Sequence, residues 1–544
     1  MMKLDKKTCL RLLDAMKREM ARSTKGLKLK GHRRPYFLSY LLKAQEGFNL
    51  WGRYGTIFSE NPWVENDLYV QCRVGSHRFD QTFDGNLDQD LSKKDSYGWI
   101  EAAKELEPRT LRYSLWRLTQ LKYEEALQDY YEKKKVLVEQ NLDQSLASFS
   151  REEVLRHIED VEPVRFPVAR WRGLVREISA LFTKKKRLVD PYVRVQGVNL
   201  VRMFINSEGS RFLTQDRFYE IALTSWILAP EGHYLSSSQR FYTRSIDKLP
   251  KKSELIRAAD ALEKELLELR AAPPVEPYTG PALLSGQATG LVFHEALGHR
   301  LEGERLRSRQ EGRTFAGRLG TRILPEGVEV FDDPSLADWE GQGLYGTYQV
   351  DDEGVRAQRV HLVKNGVLQH FLQSRTPIQG SKHSNGHGRM ERYQNPMARM
   401  ANTIVEVRDP WTPQELEQAL LEETVERGLD HAILIEGVSG GETRTDHYDF
   451  QAFKGTPTKA HLIDVRSGKK TRIRDLQFIG TPLAILQRVL ALGGPYEVDN
   501  SYCYAESGSV PVATIAPMML VADLELQRAA KKSYRPPILP RPPL

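Results

Sequence analysis

Cysteine is scarce: the chain of 544 residues holds only Cys9, Cys72 and Cys503. So sparse and odd a set makes no disulfide framework. A cross-linked secreted scaffold is excluded, and each thiol is left as core filler, metal ligand or nucleophile in a reducing compartment. Long apolar runs are missing too. A membrane-spanning helix needs about 18 or more consecutive apolar residues, whereas the longest stretches, such as 222–229 and 517–522, suit core elements. No continuous apolar stretch follows the basic residues near Met1, so no secretory signal is expected and the expected location is the cytoplasm. Charge of one sign does not dominate either. The net charge is +7, and the basic clusters at 133–135 and 184–187 adjoin amphipathic or acidic stretches. They read as solvated faces, and neither a nucleic-acid nor a membrane partner is expected.

What remains has globular proportions, with 40% hydrophobic and 28% charged residues. At this length two or three domains are expected. Residues 1–30 read as a short basic helix and an arm, and 35–74 as strands. Leu111, Leu115, Leu118 and Leu121 recur at helical spacing, so a helix is expected up to about residue 139. Residues 195–205 and 211–228 read as two strands joined by the turn Asn206-Ser207-Glu208-Gly209. A charged amphipathic helix is expected over 253–270, with Ser253 as its N-cap. The pattern is α+β. An N-terminal α/β domain with an antiparallel sheet and long helices (1–271) leads through a Pro-rich linker (272–281) to a mainly β domain (282–530) and a Pro-rich flexible tail (531–544). In the second domain, 344–351 and 356–363 read as strands around the turn Asp352-Glu353-Gly354. Lys364-Asn365-Gly366 then turns into a strand over 367–373. Ser467-Gly468-Lys469-Lys470 lacks the earlier glycine of a phosphate-binding loop, since that position is Ile463, and reads as a hairpin turn.

One segment carries chemistry: Phe293-His294-Glu295-Ala-Leu-Gly298-His299. It is close to the H-E-x-x-H zinc helix but has one residue more. On a regular helix, residues five apart are separated by about 140° around the axis. Both imidazoles then reach one ion only if the helix widens by a residue, as a π-bulge does; Gly298 lowers the strain of that distortion. If a zinc site forms, Glu295 is the general base for a metal-activated water, and a third ligand comes from elsewhere. Spacing leaves His383, His387, His447 and Cys503 open.

Further blocks accompany the motif: Leu301-Glu302-Gly303, Val350-Asp351-Asp352-Glu353-Gly354, Gly386-His387-Gly388-Arg389-Met-Glu391-Arg-Tyr393, Pro396-Met-Ala-Arg399-Met-Ala-Asn402-Thr403, Gly437-Val-Ser-Gly440-Gly441 and Cys503…Ser509-Val510-Pro511-Val512. Collinear over about 280–515, the set resembles the TldD/PmbA metallopeptidases, of the motif-bearing TldD type. The resemblance implies a Zn2+ ion held by His294, His299 and Cys503, with Glu295 as catalytic base. It implies a barrel-like C-terminal domain that carries the zinc helix, and a soluble peptidase acting on unstructured or extended peptides. The expected assembly is a homodimer or a heterodimer with a TldE/PmbA-type subunit. A non-catalytic binding subunit and a zinc amidohydrolase for a small substrate are the alternatives. A strand-like peptide is expected to bind around Gly388, Arg389, Glu391 and His387, where a Gly-rich loop admits close backbone approach and Arg389 can hold a carboxylate or carbonyl. His383 or His387 is a candidate for stabilising an oxyanion. The chain departs from the family pattern at Arg300, at Tyr504, after Gly441 and in its proline tail, which leaves substrate preference and partner choice open.

Overall fold

The computed structural model describes residues 4–82, 100–141, 144–308, 313–392, 394–443 and 452–529. The expected tail, 531–544, and the candidate His447 lie outside them, as does Tyr393.

The N-terminal half is an antiparallel sheet with helices packed on it. Strands Pro35–Arg53 and Thr56–Val74 form a long hairpin, and Pro35–Arg53 also pairs with Val189–Asn206. The latter pairs with Arg211–Leu228 around the expected turn. There Gly209 takes φ +107°, and the Asn206 side chain accepts the N–H groups of Glu208 and Ser210, so the turn is closed by its own residues. Tyr234–Thr243 adds to Arg211–Leu228 on its other side.

Helix Lys6–Gly26 buries Leu12, Leu13 and Met16, and helix Pro108–Glu139 buries Leu111, Leu115 and Leu118. Leu121 is only half-buried, and Tyr123, Ala126 and Tyr130 carry the stripe onward. Helix Lys252–Ala271 starts one residue before the expected cap. Glu254 reaches back to the Lys251 N–H at 2.6 Å, so Lys251 rather than Ser253 occupies the cap position.

In Val189–Asn206, residues 191–199 alternate between buried and half-buried, but 201–206 are buried throughout. Period-2 alternation marks a sheet with one covered face; its loss marks where the second half of the chain lies against the other face. There Phe204 and Phe212 meet Val350 and Met390. A buried ion cluster crosses the same junction. Asp352 accepts from Lys43 Nζ at 2.9 Å, Arg202 Nη1 at 3.0 Å and the Met390 N–H at 2.9 Å.

The C-terminal half is one large sheet. Gly508–Arg528 pairs with Leu476–Gly480, which pairs with Phe453–Asp464, then His431–Thr443, then Tyr278–Leu284. Tyr278–Leu284 pairs back onto Gly508–Arg528, so these five strands close into a barrel-like ring, as expected. Its core receives Val292, Phe293, Ala296 and Leu297, the apolar side of the His-Glu segment. The supposed linker is partly structured: Val275 is buried and bonded to the Arg474 carbonyl, and Tyr278–Leu284 is a barrel strand.

Residues 344–351 do not form the expected strand. Asp351 Oδ1 accepts the N–H groups of Glu353 and Val355, and Gly346 packs so closely on the Ala401 carbonyl that a Cβ there would lie 2.1 Å from its oxygen. Local side-chain bonds replace the ladder, and only the single bridge Val350–Arg356 remains. Strand character after it is confined to Val360–Lys364 and Val367–Leu368. The turn at 465–469 does join two paired strands, Phe453–Asp464 and Lys470–Ile473. No helix among the described residues is long and apolar enough to cross a membrane.

The junction makes a stability prediction. Burial raises the Asp352 pKa, but Lys43 and Arg202 outweigh it and pull the carboxyl down to about 2. A carboxyl depressed on folding adds stability above its unfolded pKa of about 4, and that stability is lost as pH falls towards about 2. Asp352→Asn leaves two buried cations short of a partner and is expected to cost about 3–5 kcal/mol near neutral pH. The gap to the parent should narrow on acidification below about pH 4. Urea unfolding across that range is the measurement; equal stability near neutral pH would refute the assignment.

Candidate metal centre

The His-Glu segment begins as an ordinary helix. Ser285 caps it, accepting the Ala288 N–H, and Gly286–Val292 is α-helical. Phe293–Leu297 then widens into a π turn: the Gly298 N–H reaches back five residues to the Phe293 carbonyl. A tight turn, Gly298–Leu301, follows. The extra residue is absorbed where the histidine spacing requires it. Gly298 is fixed by contact as well, since a Cβ there would stand 2.0 Å from Met400 Sδ.

The widened turn brings both imidazoles to one sulfur. Cys503 lies on strand Val489–Ala505, opposite Val510 in the hairpin with Gly508–Arg528. Its Sγ is 3.2 Å from His294 Nε2 and 3.3 Å from His299 Nε2. The three donor atoms lie within 4.8 Å of one another, and the rings stand almost perpendicular, at 88°. All three side chains are buried.

Burial works against an ionised thiol, but His299 and His294 overcome it and hold the Cys503 pKa well below the thiol value. Burial likewise opposes charging of the imidazoles; Cys503 raises both pKa values, and Glu302 adds to the rise at His299. The cluster sets one sulfur between two imidazole nitrogens, a donor set that would suit a tetrahedral d10 ion with one position to spare. Of the sequence candidates for a third ligand, Cys503 meets the histidine pair. His383 stands exposed beside the Arg151 carbonyl, and His387 lies elsewhere.

A second layer of side chains surrounds the donors. Glu302 is fully buried, with Oε1 3.2 Å from His299 Nδ1, which commits Nε2 of that ring to the sulfur side. Arg305 donates to Glu302 Oε2 and, from its other edge, to Glu506. Arg399, with no exposed surface, donates to Cys503 Sγ at 3.1 Å and to the Cys503 carbonyl at 2.7 Å. Burial raises the Glu302 pKa, yet His299 and Arg305 bring it down to about 2.

Glu295 is not one of the three donors. It lines, with His294, His299 and Cys503, a cavity of about 1560 Å³ between the two halves of the chain. Strand Tyr234–Thr243 and residues 436–443 form parts of its walls. Burial raises the Glu295 pKa, with the two imidazoles acting in the opposite direction. Gly441 lies against it: a Cβ there would be 2.8 Å from Glu295 Oε1. Arg300 donates to the Glu295 carbonyl at 2.5 Å and to Thr443 Oγ1 at 2.8 Å, tying this part of the cavity wall to the motif.

None of the four residues expected to bind substrate lines this cavity. His387 is fully buried, and its Nε2 is 3.1 Å from Asp332 Oδ1. The Gly388 N–H donates to Asp351, and Arg389 to the Met400 and Pro511 carbonyls. Glu391 accepts the Ser509 N–H. These residues frame the site: they hold Met400 against the π turn and the hairpin that presents Cys503. Their hydrogen bonds support the frame of the site, while Arg389 and the half-buried Glu391 also line a second cavity of about 540 Å³. The sequence marks Arg399 only as part of a family-like block and gives it no role; its partner is 104 residues away, and no spacing rule spans such a gap.

Residues 277–528 match a family model for the PmbA/TldA metallopeptidase C-terminal domain. A metalloprotease of Methanocaldococcus jannaschii is 30% identical over 316 residues, 57% of this chain and 64% of that protein. A zinc metalloprotease TldD homolog of Saccharolobus solfataricus is 24% identical over 253 residues, 45% of this chain and 51% of that protein. The chain spans 51–64% of the length of the first curated relatives that it matches. Among solved structures, TldE from Thermococcus kodakarensis superposes with a TM-score of 0.60 at 15% identity, over 95% of this chain and all of that one. That likeness is one of fold.

The electrostatics of the cluster predict selective thiol chemistry. Burial pushes Cys9 up to about 12 and raises Cys72 further, while Cys503 is depressed. In chelator-treated protein, a small alkylating reagent near pH 6 should modify Cys503 well ahead of the other two, because the thiolate is the nucleophile. Peptide mass mapping reads the outcome, and equal labelling of all three would refute the thiolate assignment.

Proposed function

We propose that this chain, which belongs to the TldD/PmbA family, is a zinc metallopeptidase of the TldD type acting on extended, unstructured peptides. The observation that carries the reading is the meeting of His294, His299 and Cys503 within 4.8 Å on the wall of a large cavity, with Glu295 beside them. In this reading the three side chains hold the ion, which supplies Lewis acidity that polarises a carbonyl and lowers the pKa of water.

The chain's own residues do the rest. Glu295, left out of the donor set, is the general base. A carboxylate whose pKa is raised by burial is better matched to proton transfer near neutral pH. Its Oε1 takes the proton from the attacking water and returns it to the departing amine. Gly441 keeps space open beside that oxygen. Glu302 fixes the imidazole of His299 by its Nδ1.

Extended peptides suit the cavity wall. Among the described residues, strand Tyr234–Thr243 pairs on one side only, with Arg211–Leu228. A substrate in strand form gains main-chain hydrogen bonds from such an edge, with little dependence on its side chains. A second copy or a TldE-type sister chain is the proposed partner, and a reducing cytoplasm suits a protein whose ligand thiol must stay free.

Three measurements test this. Purified protein should carry about one zinc per chain. Chelation should abolish peptide hydrolysis, and zinc should restore it. Glu295→Gln should keep its zinc and lose turnover by about 10²–10⁴-fold, whereas Cys503→Ala should lose zinc itself. Undiminished hydrolysis by Glu295→Gln would remove the proposed base, and full zinc retention by Cys503→Ala would remove the sulfur ligand.

A further inference from the structure

Most hydrogen bonds from a buried guanidinium give structural support; one that reaches the sulfur of a proposed ligand also bears on that donor. Arg399 is enclosed completely and serves four groups around the tip of the Cys503 hairpin. Its Nη1 donates to Ser507 Oγ and the Gly508 carbonyl, both at 2.8 Å. Its Nη2 donates to the Cys503 carbonyl at 2.7 Å and to the Cys503 sulfur at 3.1 Å. Its Nε stands 3.3 Å from Oε1 of Glu302, the same oxygen that faces His299 Nδ1. Thus one cation touches one proposed ligand directly and approaches the partner of another.

Arg399 is itself held in place. Its N–H donates to the His387 carbonyl, and the Asp332 carboxylate receives both His387 and the Ala401 N–H. The approach is preorganised on a buried frame, not left to a mobile surface side chain.

We propose that Arg399 is a positioning residue that tunes the sulfur donor. Its N–H···S bond withdraws electron density from the thiolate, leaving a bound ion more electrophilic, while its bond to the Cys503 carbonyl fixes where that sulfur stands. The inference rests on the metal-site reading above and adds a residue to it. Lysine cannot replace this geometry. An ammonium is a point charge without the planar fork that meets the sulfur, the carbonyl, the hydroxyl and the carboxylate from fixed directions.

Cobalt(II) loaded in place of zinc reports on the sulfur through its sulfur-to-metal charge-transfer absorption. The variants are Arg399→Gln, Arg399→Lys and, as a control, Ser507→Ala, which removes one partner of Nη1 and leaves both Nη2 bonds to Cys503. Arg399→Gln should move the band to lower energy, because a thiolate relieved of its donor is more electron-rich. It should also weaken zinc binding by about 10–100-fold, the usual effect of losing a residue that orients a ligand. Arg399→Lys should recover part of both effects, and Ser507→Ala should keep the parent band. Parent-like band and affinity in folded Arg399 variants would overturn the proposal. So would an equal shift in Ser507→Ala, or loss of the folded state in both Arg399 variants, since either marks the residue as a structural bolt alone. A parent protein with no charge-transfer band would instead strike at the metal site itself, and the inference would fall with it.

Discussion

His299 stands five positions after His294, and a regular α-helix sets positions five apart on different faces. The site depends on how the chain resolves this conflict. It widens the helix by one residue over Phe293–Leu297, and the widened turn is possible only because its surroundings are made to fit. Gly298 leaves room for the Met400 sulfur, and Arg389 fixes the Met400 backbone by its carbonyl. Phe293, Ala296 and Leu297 lie in the barrel core, so the distorted turn is held by packing on its apolar side. Distortions of this kind concentrate at functional sites because they aim side chains that a regular helix would turn away.

The same logic joins distant parts of the chain. Cys503 arrives on a hairpin 204 residues after His299, and that hairpin is tied by Arg399 at 507–508 and by Glu391 at Ser509. The Asp351–Glu353 turn, gripped by Lys43 and Arg202 through Asp352, holds the N-terminal sheet against the C-terminal half. The junction sets one wall of the cavity, since strand Tyr234–Thr243 belongs to that sheet.

How far this was legible in the sequence follows from the range of the forces involved. The hairpin over 195–228 was plain from its turn Asn206–Gly209, which closes through its own side chains, and 35–74 read as strands from its aromatic and turn residues. The need for a widened helix was legible too, because it is a matter of counting residues. Residues 344–351 misled: the turn at Asp352–Gly354 implied a strand before it, but Asp351 bonds to the backbone at Glu353 and Val355 instead. The Gly386–Glu391 block is less legible: glycine and arginine serve an open binding loop and a buried frame equally well, and the sequence does not separate the two. The pairing of Cys503 with the histidines came from family resemblance alone, because chain-distant contacts leave no periodic trace.

Charge balance ties the inner and outer layers of the site together. Around two imidazoles the protein buries the Cys503 thiolate and two acids, Glu295 and Glu302, with three arginines, Arg300, Arg305 and Arg399, close by. An isolated buried charge is costly, and such a group gives up its charge unless it is paired. Without an ion, the imidazoles are drawn towards their protonated forms by the thiolate. In the proposed metal reading a dication would need those same nitrogens neutral, so loading would exchange imidazole protons for metal charge. The outer arginines do not take part in that exchange. Arg305 answers Glu302 and Glu506, and Arg399 lies against the sulfur and Glu302, so Glu302 and Glu506 keep arginine partners whether the centre holds protons or an ion. A site built in this way can keep its shape while its central charge changes.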